Sequence, residues 1–243
     1  MYQNYIFDLY GTLIDIHTDE YSKNFFKKYS KWLRSKGFSF EWKQFYKMYT
    51  TTERKHREHA AKAGKHIKAE IQIEDVFREV FSIKGYELSD ADILTLCENF
   101  RNISLIYLCL FPDTLECLKK LKAAGKKIFL LSNAQRSFTW QELENTGLVP
   151  YFDGILISSD EHCMKPDPDF YNICCERYGL EKSQSIMIGN ELKSDIAGAN
   201  AAGIDAFYIN RYPVYHENSE HSCKYVSKTG SLIEVLTQTG VNN

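Results

Sequence analysis

The sequence predicts an α/β fold, a doubly wound parallel sheet interrupted early by an all-helical insert, and three observations carry that prediction. A short apolar run at residues 5–9 ends in a polar turn holding Gly11 and Thr12, the pattern of a buried strand emptying into a loop. Residues 16–108 then show helical periodicity and no strand alternation. From residue 112 onward, helices alternate with short apolar runs, as in a parallel sheet covered by helices on both faces.

Within the insert, the apolar spacing predicts helices over residues 20–35, 40–61, 68–83 and 89–106. Beyond it, a helix over 113–124 leads through Gly125 into a strand at 127–131, Lys127-Ile128-Phe129-Leu130-Leu131. A helix over 135–146 stops at Gly147, and the strand Gly154-Ile155-Leu156-Ile157 follows. A helix over 167–178, a strand at 185–188, a helix over 193–202 and a strand at 205–209 complete the alternation. The resulting organisation is a core made of residues 1–15 and 109–243, with residues 16–108 as a helical cap. There is no repeat or low-complexity segment, and only Asn242-Asn243 reads as a frayed end.

With 243 residues, 44% of them hydrophobic, the chain can bury one full core and a second, smaller unit. Lys and Arg total 30 against 32 Asp and Glu, so charge gives no reason to expect nucleic acid or a membrane surface as a partner. No apolar run approaches the ~20 residues of a membrane span, and the N-terminus lacks the features of a secretory signal, so a cytoplasmic location is expected. The seven cysteines are odd in number and form no Cys-x-x-Cys pair, which predicts free thiols. Cys163 stands out because it lies two residues before Lys165. Oligomeric state has no signature in the sequence.

In open α/β sheets, ligands bind at the carboxyl ends of the strands. The first strand delivers Asp8 there and the second Ser132 and Asn133. The third is followed by Lys165, and the fourth ends in Gly189-Asn190 with Asp195 shortly after. A carboxylate in such company can attack an electrophilic centre while the lysine and backbone N–H groups hold the developing charge; water then hydrolyses the enzyme ester. Gly11 lets the backbone turn toward a ligand, and Thr12 offers hydroxyl and amide donors to an anion. Each residue alone also suits a helix cap or turn. Capping does not explain why all of them follow strand ends on one sheet edge.

The segments Phe7-Asp8-Leu9-Tyr10-Gly11-Thr12-Leu13, Leu131-Ser132-Asn133, Lys165-Pro166-Asp167-Pro168 and Gly189-Asn190-Glu191-Leu192-Lys193-Ser194-Asp195-Ile196-Ala197-Gly198-Ala199 resemble the four motifs of the haloacid dehalogenase superfamily, in order and spacing. The resemblance runs over about residues 5–210. It implies a Rossmann-like core with the helical insert as a mobile cap. It also implies Asp8 as nucleophile, Ser132 or Asn133 as ligand of a small anionic substrate, and Lys165 as the charge that steadies nucleophile and anion.

Two positions depart from the commonest pattern of that superfamily. Its phosphatases carry a second Asp two residues after the nucleophile as acid and base; this chain has Tyr10, whose phenol, with an ordinary pKa near ~10, is a poor proton shuttle at neutral pH. They also show Gly-Asp where this chain has Gly189-Asn190. Three readings follow. The first is a phosphatase of a small phosphorylated metabolite, with Mg2+ held by Asp8, the Tyr10 carbonyl, Asn190 and Asp195, a set weakened by the neutral Asn190. The second is a metal-independent 2-haloacid dehalogenase-type hydrolase, which resembles this chain at Tyr10 and Asn190. Its cap arginine is matched here only by Lys43 in Trp42-Lys43-Gln44, which lacks a planar, forked guanidinium. The third is a ligand-binding protein that keeps the fold without turnover.

Within the cap, Arg54, Lys55, Arg57, Lys62, Lys65 and Lys68 form either a basic face that steers anions or a solvated helix surface. Trp42, Tyr46 and Tyr49 at helical spacing line a pocket or pack a core. His17 and Asp15 lie at the expected hinge, where linker and turn roles compete with catalysis and closure. Glu191 suits the dipole of the helix that follows it, and Lys193 reads as a solvated helix-start charge.

Overall fold

The first strand, β1 (Asn4–Phe7), is buried along its whole length and ends on Asp8. The chain then forms β2 (Ile14–Thr18), four helices, α1 (Lys23–Ser35), α2 (Trp42–Lys62), α3 (Ile73–Ile83) and α4 (Asp90–Ser104), and returns through β3 (Leu105–Leu110). Next come α5 (Thr114–Ala123), β4 (Lys127–Ser132), α6 (Arg136–Asn145), β5 (Gly154–Ile157), α7 (Ser158–Glu161) and α8 (Pro168–Tyr178). The chain closes with β6 (Ser185–Gly189), α9 (Ala197–Ala202), β7 (Asp205–Tyr208), β8 (Tyr225–Val226) and α10 (Ile233–Gln238). This computed structural model describes residues 1–211 and 223–241; the expected frayed tail Asn242-Asn243 lies outside the described residues.

Six strands form one parallel sheet in the order β5-β4-β1-β6-β7-β8. The chain steps outward from β1 to β4 and β5, then crosses back to β6 on the other side of β1. That reversal opens a crevice at the carboxyl end of β1, flanked by the ends of β4 and β6. Strand residues alternate between faces as the pleat demands. Tyr5, Phe7, Ile128, Leu130, Ile186 and Ile188 pack with residues of α5 and α10, whereas Ile6, Phe129, Leu131 and Met187 pack with α8 and α9. The fold is the Rossmann-like, doubly wound α/β architecture the sequence predicts.

The helices of the insert close around an aromatic core of Phe25, Phe26, Tyr29, Phe45, Tyr49, Phe77 and Phe100, all buried. Local signals explain where two of them begin. The Ser22 hydroxyl accepts from Phe25 N at 3.0 Å to start α1. Ser89 and Asp92 form a reciprocal capping box at the start of α4.

Three expectations are corrected. The insert is not wholly helical, because β2 and β3 pair antiparallel at its base, Ile14 opposite Leu110 and Thr18 opposite Leu105. The ribbon satisfies the backbone groups of both connections, and Ile16, Leu108 and Leu110 lay apolar surface on the sheet core. Second, α3 starts at Ile73, not at residue 68. The amides ahead of it bond to the core instead: Lys68 N to Asp167 Oδ2 at 2.9 Å, Glu70 N to the His162 carbonyl at 3.0 Å and Ile73 N to Gln135 Oε1 at 2.8 Å. Third, the helix expected over 193–202 opens with a π-helical turn, Leu192–Ile196, in which the Glu191 carbonyl accepts from both Asp195 N and Ile196 N.

Candidate active site

Asp8 sits directly past β1, and its backbone N–H is held by the Ile188 carbonyl at 2.9 Å. Its carboxylate is 8% exposed in the residue as a whole and each oxygen has a different set of partners. Lys165 Nζ donates to Oδ1 at 2.6 Å, while the Thr12 hydroxyl donates to Oδ2 at 3.1 Å. Lys165 also donates to Asp195 Oδ1 at 2.7 Å, so one ammonium bridges two carboxylates. Burial alone would lower the Lys165 pKa, but Asp195 and Asp8 more than offset it and hold the ammonium charged. Burial pushes the Asp195 carboxyl up to about 7 against the pull of Lys165, with Asp8 adding to the rise.

Asn190 completes the ring around Asp8. The inner terminal atom of its amide lies 3.1 Å from the Tyr10 carbonyl, 3.2 Å from Asp8 Oδ2 and 3.1 Å from Thr12 Oγ1; a nitrogen there donates to all three, and an oxygen there accepts from the Thr12 hydroxyl. Two glycines make this approach possible. A Cβ on Gly11, whose φ is +78°, would stand 2.3 Å from the outer terminal atom of the Asn190 amide; one on Gly189 would stand 2.3 Å from the Asp195 carboxylate.

The structure brings Asp8, Tyr10, Asn133, Lys165, Asn190 and Asp195 around one cavity of 370 Å³, with Glu191 and Ser194 at its rim. Asn133 takes a different part from the one the sequence offers. Its side chain pairs with the backbone of Lys165, donating from Nδ2 to the carbonyl at 2.9 Å and accepting the N–H on Oδ1 at 2.8 Å. It positions the lysine, and its second amide hydrogen remains on a side chain that lines the cavity. Ser132 is fully buried at the end of β4, and its hydroxyl has no protein partner.

Tyr10 is also redirected. Its hydroxyl bonds Thr139 Oγ1 at 2.9 Å and the Glu142 carboxylate on α6, away from Asp8. Burial raises its pKa far above the ordinary phenol value and Glu142 adds to the rise, so it stays neutral. Its backbone carbonyl lies on the Asp8 side, 3.1 Å from the Asn190 amide.

Lys43 is not brought to the site. It is exposed on α2, with its ammonium 5.8 Å from the ring of Trp42. The cation found beside the site is Arg101 of α4, which sequence reasoning missed. Its guanidinium lies 5.6 Å from the ring centroids of both Tyr10 and Phe138 and pairs with Glu20 and Glu142. It lines a second cavity of 290 Å³ that shares Tyr10 and Asn133 with the first and is roofed by Tyr49, Glu53 and Arg57. Arg57 pairs with Glu53 at 3.0 Å and with Glu70 at 3.4 Å, so it alone of the basic run 53–68 lines this cavity. Of the aromatic stripe, Tyr49 lines it while Tyr46 is exposed. His17 stacks on Tyr107 on the exposed ribbon, and Tyr107 donates to Asp15 at 3.2 Å; neither residue reaches Asp8.

Of the set expected to hold Mg2+, Asp8 Oδ2 and the Tyr10 carbonyl lie beside the Asn190 amide, whereas Asp195 is turned to other partners. Asp195 is buried with both oxygens engaged, Oδ1 by Lys165 and Oδ2 by the Glu191 N–H at 2.9 Å. With the Asn190 amide oxygen turned inward, that oxygen, Asp8 Oδ2 and the Tyr10 carbonyl would offer a cation three neighbouring oxygens, one carboxylate fewer than a Gly-Asp pair would supply. All seven cysteines are free, and no helix of the described residues is long and apolar enough to cross a membrane.

Comparison with known proteins bears on this geometry. A sequence profile of the haloacid dehalogenase-like hydrolases matches residues 2–203. The chain is 28% identical over 137 residues to a glyceraldehyde 3-phosphate phosphatase of Methanothermobacter thermautotrophicus, a match covering 56% of this chain and 58% of that protein. The chain thus spans little more than half the length of that relative. It is 26% identical over 216 residues to an (S)-2-haloacid dehalogenase of Pseudomonas putida, covering 86% of this chain and 85% of the other. Among solved structures, a 2-haloacid dehalogenase from Pseudomonas syringae pv. Tomato DC3000 superposes with a TM-score of 0.67 at 19% identity, covering 98% of this chain and all of that one, which establishes the shared fold.

Proposed function

The chain belongs to the haloacid dehalogenase-like hydrolases, and within that family we propose that it hydrolyses a small organic acid through a covalent ester on Asp8, without a metal ion. The observation that carries this reading is Asn190, a neutral amide within 3.2 Å of Asp8 Oδ2 and the Tyr10 carbonyl, where a carboxylate would be needed to hold a divalent cation tightly. A neutral donor there orients the carboxylate and leaves it anionic. The match to the haloacid dehalogenase across the insert as well as the core supports the same reading, whereas the phosphatase match covers about half of each chain.

In this proposal an oxygen of Asp8 attacks the carbon that bears the leaving group, and the leaving group departs with the bonding pair. Lys165 and Thr12 hold the carboxylate at the attack angle. The unpaired Ser132 hydroxyl donates to the substrate carboxylate. Water then adds to Cγ of the Asp8 ester and gives its proton to Asp195, whose raised pKa suits a base near neutrality. Collapse releases the hydroxy acid and restores Asp8. The segment between the two ribbon strands serves as the cap that excludes bulk water.

The test is paired. Halide release from 2-haloacids is measured beside phosphate release from p-nitrophenyl phosphate and a metabolite phosphate panel, each with Mg2+ and with chelator. Halide release indifferent to chelator is expected, and a single turnover in ¹⁸O-water should label Asp8. Magnesium-dependent phosphate release without halide release would instead establish the phosphatase reading.

A further inference from the structure

A separate group of ligating side chains lies where the insert rests on the core, outside the cavity around Asp8. His66 belongs to the segment between α2 and α3, while Cys163 and Asp167 flank Lys165 two residues away on either side. A ring nitrogen of His66, the Cys163 sulfur and an Asp167 carboxylate oxygen all lie within 4.8 Å of one another. Cys163 and Asp167 are almost completely buried, and the His66 side chain is 9% exposed.

The surroundings fix these groups in place. Asp167 accepts from Asp169 N at 3.0 Å, capping α8, and from Lys68 N at 2.9 Å. Cys163 bridges Ala69 in antiparallel fashion, with Met164 N on the Lys68 carbonyl and Glu70 N on the His162 carbonyl, both at 3.0 Å. The His66 ring is held in turn by Asp169, Nδ1 lying 3.3 Å from Oδ2, the carboxylate–imidazole contact that orients metal-binding histidines.

We propose that His66, Cys163 and Asp167 form a binding site for a thiophilic divalent cation of the zinc type, which fastens the insert to the core beside Lys165. One thiolate, one imidazole and one carboxylate make a donor set suited to zinc, with a fourth tetrahedral position left to water. Magnesium and calcium, which take oxygen ligands, are poorly matched to a sulfur donor. Binding displaces the Cys163 thiol proton to solvent while the sulfur–metal bond forms, so no redox partner is needed. Because His66 comes from the insert and the other two ligands from the loop carrying Lys165, a bound cation resists separation of the two. The site stands independently of which leaving group Asp8 displaces.

The experiment uses the full chain freed of metal with chelator and titrated with cobalt(II), followed by zinc. One equivalent of cobalt should give thiolate-to-metal charge-transfer and tetrahedral d–d absorption, and zinc should abolish both. Cys163→Ser should remove the charge-transfer band, His66→Ala should weaken cobalt binding at least ~10-fold, and Asp8→Asn should change neither. Zinc should also slow hydrogen exchange at the Lys68 and Glu70 amides. Absent bands, bands that survive Cys163→Ser, or bands lost in Asp8→Asn but kept in His66→Ala would each overturn the proposal.

Discussion

The floor and the roof of the cavity are assembled in different ways. On the floor, Asp8, Asn190 and Asp195 each follow a strand, and Lys165 follows β5 by way of α7, so the parallel sheet determines which of them meet. The side chains of Asp8, Lys165 and Asp195 there are held by partners supplied by the same set of loops. On the roof, Tyr49, Arg57 and Arg101 ride on helices whose places come from aromatic packing, such as Phe100 edge-on to Phe25 with ring centroids 4.6 Å apart. Their carboxylate partners arrive from elsewhere in the chain, Glu20 for Arg101 and Glu70 for Arg57. Backbone topology thus fixes the chemistry, and side-chain volume fixes what the chemistry is presented with.

Substitutions on the two sides should separate along that line. Asp8→Asn should cost roughly 10³-fold or more in turnover with the fold intact, since losing a nucleophile removes a whole pathway. Unchanged turnover would collapse the distinction. So would ligand affinity and biological effect untouched by the change in a protein with no turnover at all, which is what a pure binding protein predicts. Lys165→Met should abolish turnover to a similar degree and also lower stability by about 3–5 kcal/mol in denaturant titrations, because two buried carboxylates lose their shared cation. On the roof, Phe100→Ala should cost about 3–5 kcal/mol of stability while kcat changes far less, as measured on protein that remains folded.

Two smaller effects sharpen the comparison. With Asp195 acting as base from a carboxyl pushed up to about 7, the ester-hydrolysis rate should fall as pH drops through that value and level off above it. Asp195→Asn should flatten that limb in a stopped-flow pH series. Arg101→Ala should lower kcat/KM by about tenfold, or 1.4 kcal/mol in the barrier, whereas Lys43→Ala should leave it within experimental error because Lys43 faces solvent.

How much could be seen in advance follows the same division. The convergence of Asp8, Thr12, Lys165, Asn190 and Asp195 was legible, because strands are marked by local apolar runs and a parallel sheet delivers their ends to one edge. Lys43 matches the family's cap residue only through a short segment, and a short segment says nothing about the direction an exposed helix face takes. Arg101 could not be found that way: it is one charge among many in the insert, and only packing against Phe138 and Tyr10 singles it out. The pair β2 and β3 escaped notice because strands so far apart in sequence are stabilised by each other, and neither is long enough to declare itself alone. Tyr10 was located correctly, yet the direction of its hydroxyl depended on Glu142, a buried acid on a helix with no periodic signal.

The ribbon at the base of the insert has a consequence for descent. Since Ile14 stands opposite Leu110, the chain leaves the core and re-enters it at nearly one point, with Cα atoms about 4.5–5.5 Å apart, as in any antiparallel pair. A piece of chain anchored at a single gate can be lengthened, shortened or replaced by recombination without asking the sheet to move. The two strands form a junction at which the insert can change while the sheet and the residues at its edge keep their places.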